Sequence, residues 1–531
     1  MTITPPLTRE RLRLRVAAAA AVVATVAAAL HIDATFEALT DGASAVSGLL
    51  ARMWPPAIPD LGRVAGLALD TLLIALLGTV LATVLSVPLA FLAAANTTPN
   101  RVVHGVARAV ITFFRAVPDL VFAVLLVRAL GIGVLPGVLA LGLHSIGMLG
   151  KVFADAIEQS DPGPREAIRS TGAGPVRERV AGVLPQVVPS WIAMFVYRVD
   201  INLRTSVVLG FVGAGGIGFA LQDALRGLVY DKALGIVGVI LLVIAAMELL
   251  SIGLRRVLLD PASGPAAPRD PVRVTAPWSA GRATRAAVAA LLAVAVGYAV
   301  VRLDIDPREL WTKFGDVVEV AGRLLPPDFT LLGWELAAAI AETLAIGVVA
   351  TAAGVVLSVP LGLLAARNVA PNPTIYWAAR AVVLGVRAIP ELVLAVVFVA
   401  ALGLGPLAGA SALAVGSIGF LGKLVADAAE EIDPGPAEAI RAVGGGWWQR
   451  LLAAVVPQAT PAVIGSSLYL LDVNIRTSTI LGIVGAGGVG FLLFEAIRTL
   501  NFEFAGAIVL IVFGVVLLVE RFSGWVRAQV L

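Results

Sequence analysis

Asp161-Pro-Gly-Pro-Arg-Glu-Ala-Ile-Arg-Ser-Thr-Gly-Ala-Gly174 and Asp433-Pro-Gly-Pro-Ala-Glu-Ala-Ile-Arg-Ala-Val-Gly-Gly-Gly446 are two copies of one segment, identical at ten of fourteen positions and 272 residues apart. The same offset holds outward from each copy. Thr71 aligns with Thr343, Ser86-Val-Pro-Leu89 with Ser358-Val-Pro-Leu361, Asn96 with Asn368, and Arg115-Ala-Val-Pro-Asp-Leu120 with Arg387-Ala-Ile-Pro-Glu-Leu392. Ser145-Ile-Gly147 and Leu149-Gly-Lys151 align with Ser417-Ile-Gly419 and Leu421-Gly-Lys423, so the halves match without a gap from about 70 to 220. Each copy of the opening segment is a polar island between apolar runs. A polar segment written twice in such a setting has something outside the membrane to touch.

The 531 residues are 59% hydrophobic and 14% charged, and the mean hydropathy is +0.94. A soluble protein of this size has no core large enough to hide that much apolar surface, which makes the class integral membrane protein. The apolar runs are about 20 residues long and lack the alternation of barrel strands, so the spans read as helices. They are predicted near 15–31, 66–95, 108–130, 133–156, 184–212 and 233–253, and again near 285–302, 337–367, 380–402, 405–428, 457–484 and 504–521. The fold class is all-α integral membrane: two parallel six-helix repeats, twelve transmembrane helices in all. The first half takes 1–254, a linker rich in Pro, Gly, Ala and Arg takes 255–283, and the second half takes 284–531. Pro118 and Pro390 are placed to break or kink the third helix of each half.

Arg9, Arg11, Arg13 and Arg15 ahead of the apolar run 16–30 resemble a signal peptide, but Arg282 and Arg285 precede a similar run deep inside the chain. Both runs therefore read as first transmembrane helices. An even number of spans sets both halves the same way up. Lys and Arg concentrate at the N-terminus, at Arg101 and Arg108, over Lys151 to Arg179, in the linker and at Arg521 and Arg527, which puts both termini and both polar islands in the cytoplasm. A net charge of +3 gives no case for nucleic acid. The chain has no cysteine, and His31, His104 and His144 are scattered, so it offers no thiol chemistry and no metal-ligand cluster.

Within each island Asp161 or Asp433 opens a turn, proline starts a short helix, Glu166 or Glu438 lies in its first turn, and glycines stop it. Glu166-Ala167 with Gly172 six residues after the Glu, then Leu184-Pro185, resemble the coupling loop of ABC-importer permeases; Glu438-Ala439, Gly444 and Pro457 repeat it. The third alanine of that loop is Ile168 or Ile440 here, the isoleucine before Leu-Pro is Gly182 or Ala454, and the second Leu is Val456. Arg387-Ala-Ile-Pro-Glu-Leu-Val393, Leu402-Gly-Leu-Gly-Pro406 and Arg476-Thr-Ser-Thr-Ile-Leu-Gly-Ile-Val-Gly-Ala-Gly-Gly488 are similar to the phosphonate/phosphite importer subfamily, over about 65–255 and 337–525. The resemblance implies a type I importer permease fold with both halves of a usual dimer fused in one chain, around a central path. It implies two copies of a cytoplasmic ABC ATPase, each docked on one coupling helix through Glu166, Ala167 and Gly172 or Glu438, Ala439 and Gly444. One extracytoplasmic binding protein would deliver a small anion, and the location would be a bacterial cell membrane.

A second duplicated block is Asp200-x-Asn202-x-Arg204-Thr205-Ser206, matched by Asp472-x-Asn474-x-Arg476-Thr477-Ser478; from Asp200 to Gly218 thirteen of nineteen positions agree. Ionisable groups within a membrane are costly and face protein or a water-filled path. Two readings stand: an Asp–Arg pair one helical turn apart that neutralises itself, or arginines that line an anion path with the neighbouring hydroxyls. Arg115 with Asp119 and Arg387 with Glu391, beside the two prolines, share that ambiguity. Ser145 and Ser417 either line the path or allow close helix packing.

Gly213-x-Gly-x-x-Gly218 and Gly485-x-Gly-x-x-Gly490 follow helices rather than strands, so they read as turns at the outer end of the fifth span and not as dinucleotide sites. No Gly-x-x-x-x-Gly-Lys-[Ser/Thr] occurs, so ATP and Mg²⁺ belong to the partner ATPase and this chain carries no cofactor. A lipid-modifying enzyme would need a nucleophile, paired carboxylates or a metal set within the bilayer. The sequence offers none, so translocation and not catalysis is the expected activity. The alternative cargo for the same fold is another small solute such as methionine.

Overall fold

The computed structural model describes residues 9–58, 60–259, 280–330 and 333–530, and the regular structure among them is entirely helical. Among the described residues, nine helices are long and apolar enough to cross a membrane, and the number of spans rises to as many as twelve if each of three sharply bent helix pairs is one span. The chain forms two compact units: Met53–Gly322, and Met1–Arg52 together with Arg323–Leu531. The sequence repeat and the packed unit thus divide the chain at different places. Most of the linker read over 255–283 lies outside the described residues; helices Tyr230–Leu259 and Ala280–Arg302 stand on either side of it.

In the Met53–Gly322 unit, Asp60 caps the helix Leu61–Ala93 by accepting from the backbone N–H of Gly62 and Arg63. Small residues then let it lie close to Val134–Glu158: a Cβ on Gly78 would stand 2.8 Å from Cβ of Leu141. The third span is broken as its proline predicts. Arg101–Ala116 and Asp119–Leu130 meet at 87°. Val117, ahead of Pro118, is pushed to extended backbone at φ −76° and ψ 123°, and the helix ends there. A Cβ on Gly147 would overlap the backbone nitrogen of Arg115, so the break nests against a helix that must have glycine at that point. Leu184–Gly210, the short helix Ile217–Arg226 and Tyr230–Leu259 follow. Ala280–Arg302 also belongs to this unit, and Arg302 meets Asp70 at 3.3 Å.

The other unit repeats this frame with Trp334–Leu364, Pro373–Ala388 and Glu391–Leu402 at 86°, Pro406–Glu430, Val456–Leu481, Val489–Arg498 and Phe502–Val530. A Cβ on Gly419 would overlap the nitrogen of Arg387, as at Gly147. Here the opening helix Arg9–His31 packs against Trp334–Leu364, and Gly42 of the helix Phe36–Met53 lies under the side chain of Leu402. So the first helix of the sequence completes the unit built from the second half.

Candidate functional site

Two kinds of site recur in both units: an exposed helix beside the membrane and a buried polar knot within it. The exposed helices are Pro162–Ser170 and Gly435–Ala442, neither of which buries a residue. Asp161 accepts from the Gly163 N–H at 2.9 Å and Asp433 from Gly435 at 2.9 Å, each opening its turn. Glu166, Ala167, Glu438 and Ala439 all face outward. Gly172 at φ 77° and Gly444 at φ 81° supply the left-handed residue that ends each helix.

What holds each helix in place is a latch duplicated nearly bond for bond. Glu158 accepts from Ala95 N–H at 2.8 Å and pairs with Arg108 at 2.8 Å; Glu430 accepts from Arg367 N–H at 2.9 Å and pairs with Arg380 at 3.3 Å. Asn96 donates to Ile157 O at 2.8 Å and Asn368 to Ala429 O at 2.6 Å. These bonds tie the end of the second span to the end of the fourth, where the chain leaves for the exposed helix. The return path is a π-helical turn in each copy, Glu178–Val183 and Leu451–Val455.

The two helices differ in how their flanks are pinned. Glu178 is clamped by Arg165 at 2.6 Å and Arg169 at 3.5 Å. The corresponding positions in the second copy are Ala437 and Arg450, which form no such clamp. The carbonyl of Thr97 accepts from Arg179 at 2.8 Å, whereas the equivalent carbonyl, Val369, accepts from the Trp447 indole at 2.6 Å.

Inside the membrane, Asn202 donates to Thr79 at 2.8 Å and to Ser145 at 3.0 Å, joining three helices through side chains that are wholly buried. Asn474 donates to Thr351 at 3.0 Å and Ser417 at 3.4 Å in the same way. Without water, buried polar groups must be satisfied by protein, and each such interhelical bond contributes about 0.6–2 kcal/mol. A further layer fixes the glycine turns. Thr71 accepts from Ile217 N–H at 2.8 Å and Thr343 from Val489 N–H at 2.8 Å, while Ser206 and Ser478 each donate to those threonines' carbonyls at 3.2 Å. Gly213, Gly215 and Gly216 and their counterparts Gly485, Gly487 and Gly488 all have positive φ, which explains the glycine pattern without a nucleotide.

Arg204 pairs with Asp200 at 3.2 Å and approaches Glu248 at 3.8 Å; Arg476 pairs with Asp472 at 3.2 Å. The self-neutralising arrangement is therefore present in both units. Thr205 and Thr477 are half-buried beside these pairs, as are Arg115, Asp119, Arg387 and Glu391 around the broken spans. His144 donates through Nδ1 to the carbonyl of Val117 at 3.1 Å, at the open end of the first break; its counterpart is Gly416.

Repeat matching passed over one residue. Arg198 is only 4% exposed and lies one turn before Asn202, with its Nε donating to Ser145 at 2.8 Å and Nη1 to the Met148 sulfur at 3.0 Å. Its counterpart, Leu470, is equally buried. A cation at mid-membrane costs about 2.5–3.5 kcal/mol on insertion scales, and no such cost falls on the second copy.

The description "Binding-protein-dependent transport system inner membrane component" belongs to a family whose model matches residues 86–260 and 358–530. The chain belongs to this family. The permease is 64% identical over 506 residues to the "Phosphate-import permease protein PhnE" of Mycolicibacterium smegmatis, covering 95% of this chain and 93% of that one. It is 43% identical over 225 residues to the "Phosphite transport system permease protein PtxC" of Stutzerimonas stutzeri, covering 42% of this chain and 81% of the relative. It is 30% identical over 170 residues to a "Probable D-methionine transport system permease protein MetI" of Pasteurella multocida, covering 30% of this chain and 78% of the relative. The two matched segments each contain one exposed helix and the Ser–Asn pair of one polar knot, Ser145 with Asn202 or Ser417 with Asn474, so this is a multi-pass inner-membrane permease with two permease repeats in one chain. Membership implies ATPase and binding-protein partners.

Proposed function

We propose that this chain is the whole membrane-embedded part of an importer for phosphate or a closely related phosphorus oxyanion. The observation that carries the reading is the likeness to a phosphate-import permease across both repeats, at 64% identity. Two copies of one ATPase dock from the cytoplasm, one on Pro162–Ser170 and one on Gly435–Ala442. The exposed Glu166-Ala167 and Glu438-Ala439 pairs are the contact residues, and the latches at Glu158 and Glu430 pass the force of docking to the ends of the spans. One binding protein delivers the anion from the opposite side. ATP and Mg²⁺ are held by the ATPase, hydrolysis happens there, and both termini of this chain are cytoplasmic.

The experiment is ATP-driven uptake of labelled phosphate into liposomes that hold the permease with its ATPase and binding protein. Unlabelled methylphosphonate and phosphite are expected to compete and methionine is not. Competition by methionine alone would replace the cargo and leave the family in place.

A further inference from the structure

We propose that the permease engages its anion through Arg198, and therefore through the first repeat and not the second. This rests on the oxyanion reading above. The starting point is that the knot does not need the arginine: Asn474, Thr351 and Ser417 close the equivalent knot with Leu470 at that position. With no Arg198 counterpart, Ser417 turns its hydroxyl back to the Leu413 carbonyl at 2.6 Å; Ser145 instead accepts from Arg198 and donates to Asn202 at 3.2 Å. The serine has been turned to hold a guanidinium.

The remaining intramembrane arginines of the duplicated block, Arg204 and Arg476, have a carboxylate at 3.2 Å. Among the described residues, Arg198 has no carboxylate partner. Asp119, at the start of the helix after the break, is the acid that acts on its charge from a distance. Thioether sulfur is a weak acceptor, so the bond to Met148 consumes little of the donor capacity. The Nη1 and Nη2 edge of the fork is left with donors to spare, and that edge matches two oxygens of a tetrahedral phosphorus centre. Nε is the atom tied to Ser145, which fixes the plane of the fork and so orients that edge. A phosphate, a phosphonate and a phosphite share this pair of oxygens.

The test uses the complete permease–ATPase–binding-protein assembly in liposomes. Arg198→Leu copies the second repeat and is expected to lower phosphate uptake about 30-fold or more, the worth of a lost charge-assisted pair. Arg198→Lys should fall between, because an ammonium keeps charge without the fork. Leu470→Met, its control, should stay near the parent. Uptake by Arg198→Leu within about twofold of the parent overturns the proposal. If that variant does not assemble, Arg198→Cys decides the matter in this cysteine-free chain. Aminoethyl methanethiosulfonate, which restores a cation, is expected to recover uptake, methyl methanethiosulfonate is not, and phosphate should slow both reactions. Failure of either reagent to reach the thiol during turnover, or equal recovery with both, overturns it. Parent liposomes that import methionine but none of the three phosphorus anions would instead sink the cargo reading, and this inference with it; phosphate import that ignores Arg198 sinks this inference alone.

Discussion

The two repeats agree where backbone depends on side chain and part where a side chain is free to do something else. Thr71 and Thr343 receive the same N–H at the same 2.8 Å, and Asn96 and Asn368 reach for equivalent carbonyls. Gly147 and Gly419 each admit the backbone of a broken helix. By contrast Arg198, His144, Arg165 and Glu178 correspond in sequence to Leu470, Gly416, Ala437 and Arg450. A duplicated membrane frame keeps the groups that satisfy its own polar backbone, since hydrocarbon offers no substitute. The groups around the knot and beside the exposed helix are released from that duty, and there the repeats have become specialised.

The largest effect expected is one the repeats share. Reversing charge at both exposed helices, Glu166→Lys with Glu438→Lys, should abolish co-purification of the ATPase while the spans stay folded. Each single change should weaken capture by a similar factor, because both glutamates are exposed. Full ATPase recovery with the double variant would remove these helices from the docking surface. Next, Gly147→Ala and Gly419→Ala should each cost about 3 kcal/mol through overpacking against backbone. Thermal unfolding in detergent would show it, and tolerance at one position only would break the equivalence of the two helix breaks.

A sharper contrast comes from the knot. Asn202→Leu removes the bonds to Thr79 and Ser145 and takes from Ser145, which holds Arg198, its acceptor, so it should cost about 2–3 kcal/mol, against about 1 kcal/mol for Asn474→Leu. Equal losses would mean that the guanidinium takes no part in the knot. The smallest effect is expected at Glu178→Gln, which loosens the Arg165 clamp by about 1 kcal/mol or less. Hydrogen exchange should quicken over 162–170 and stay unchanged over 435–442; a change in both helices would deny that the clamp is local.

Hydropathy made most of the frame legible, because a bilayer forces long apolar helices, and proline at 118 and 390 announced the two broken spans. The fourth and fifth spans, read near 133–156 and 184–212, are Val134–Glu158 and Leu184–Gly210. The helices Phe36–Met53, Ile217–Arg226 and Val489–Arg498 were not legible as separate elements, since short amphipathic pieces carry no span-length signal. The polar knot was half legible: Asn202, Ser145, Asn474 and Ser417 stood out as duplicated, but the partners Thr79 and Thr351 lie 123 residues away in sequence. Arg198 escaped for the opposite reason. A search for agreement between repeats discards a residue whose importance is that it has no twin.

The assignment of Met1–Arg52 to the unit otherwise made of Arg323–Leu531 has a consequence in time. The helix Arg9–His31 leaves the ribosome some three hundred residues ahead of Trp334–Leu364, against which it packs. At the elongation rates of about 5–20 residues per second, the opening helix waits in the bilayer for tens of seconds before its partner exists. During that interval it must be content with lipid, which a stretch over 16–29 made of Ala and Val apart from Thr25 suits. That contact thus joins two segments made well apart in time.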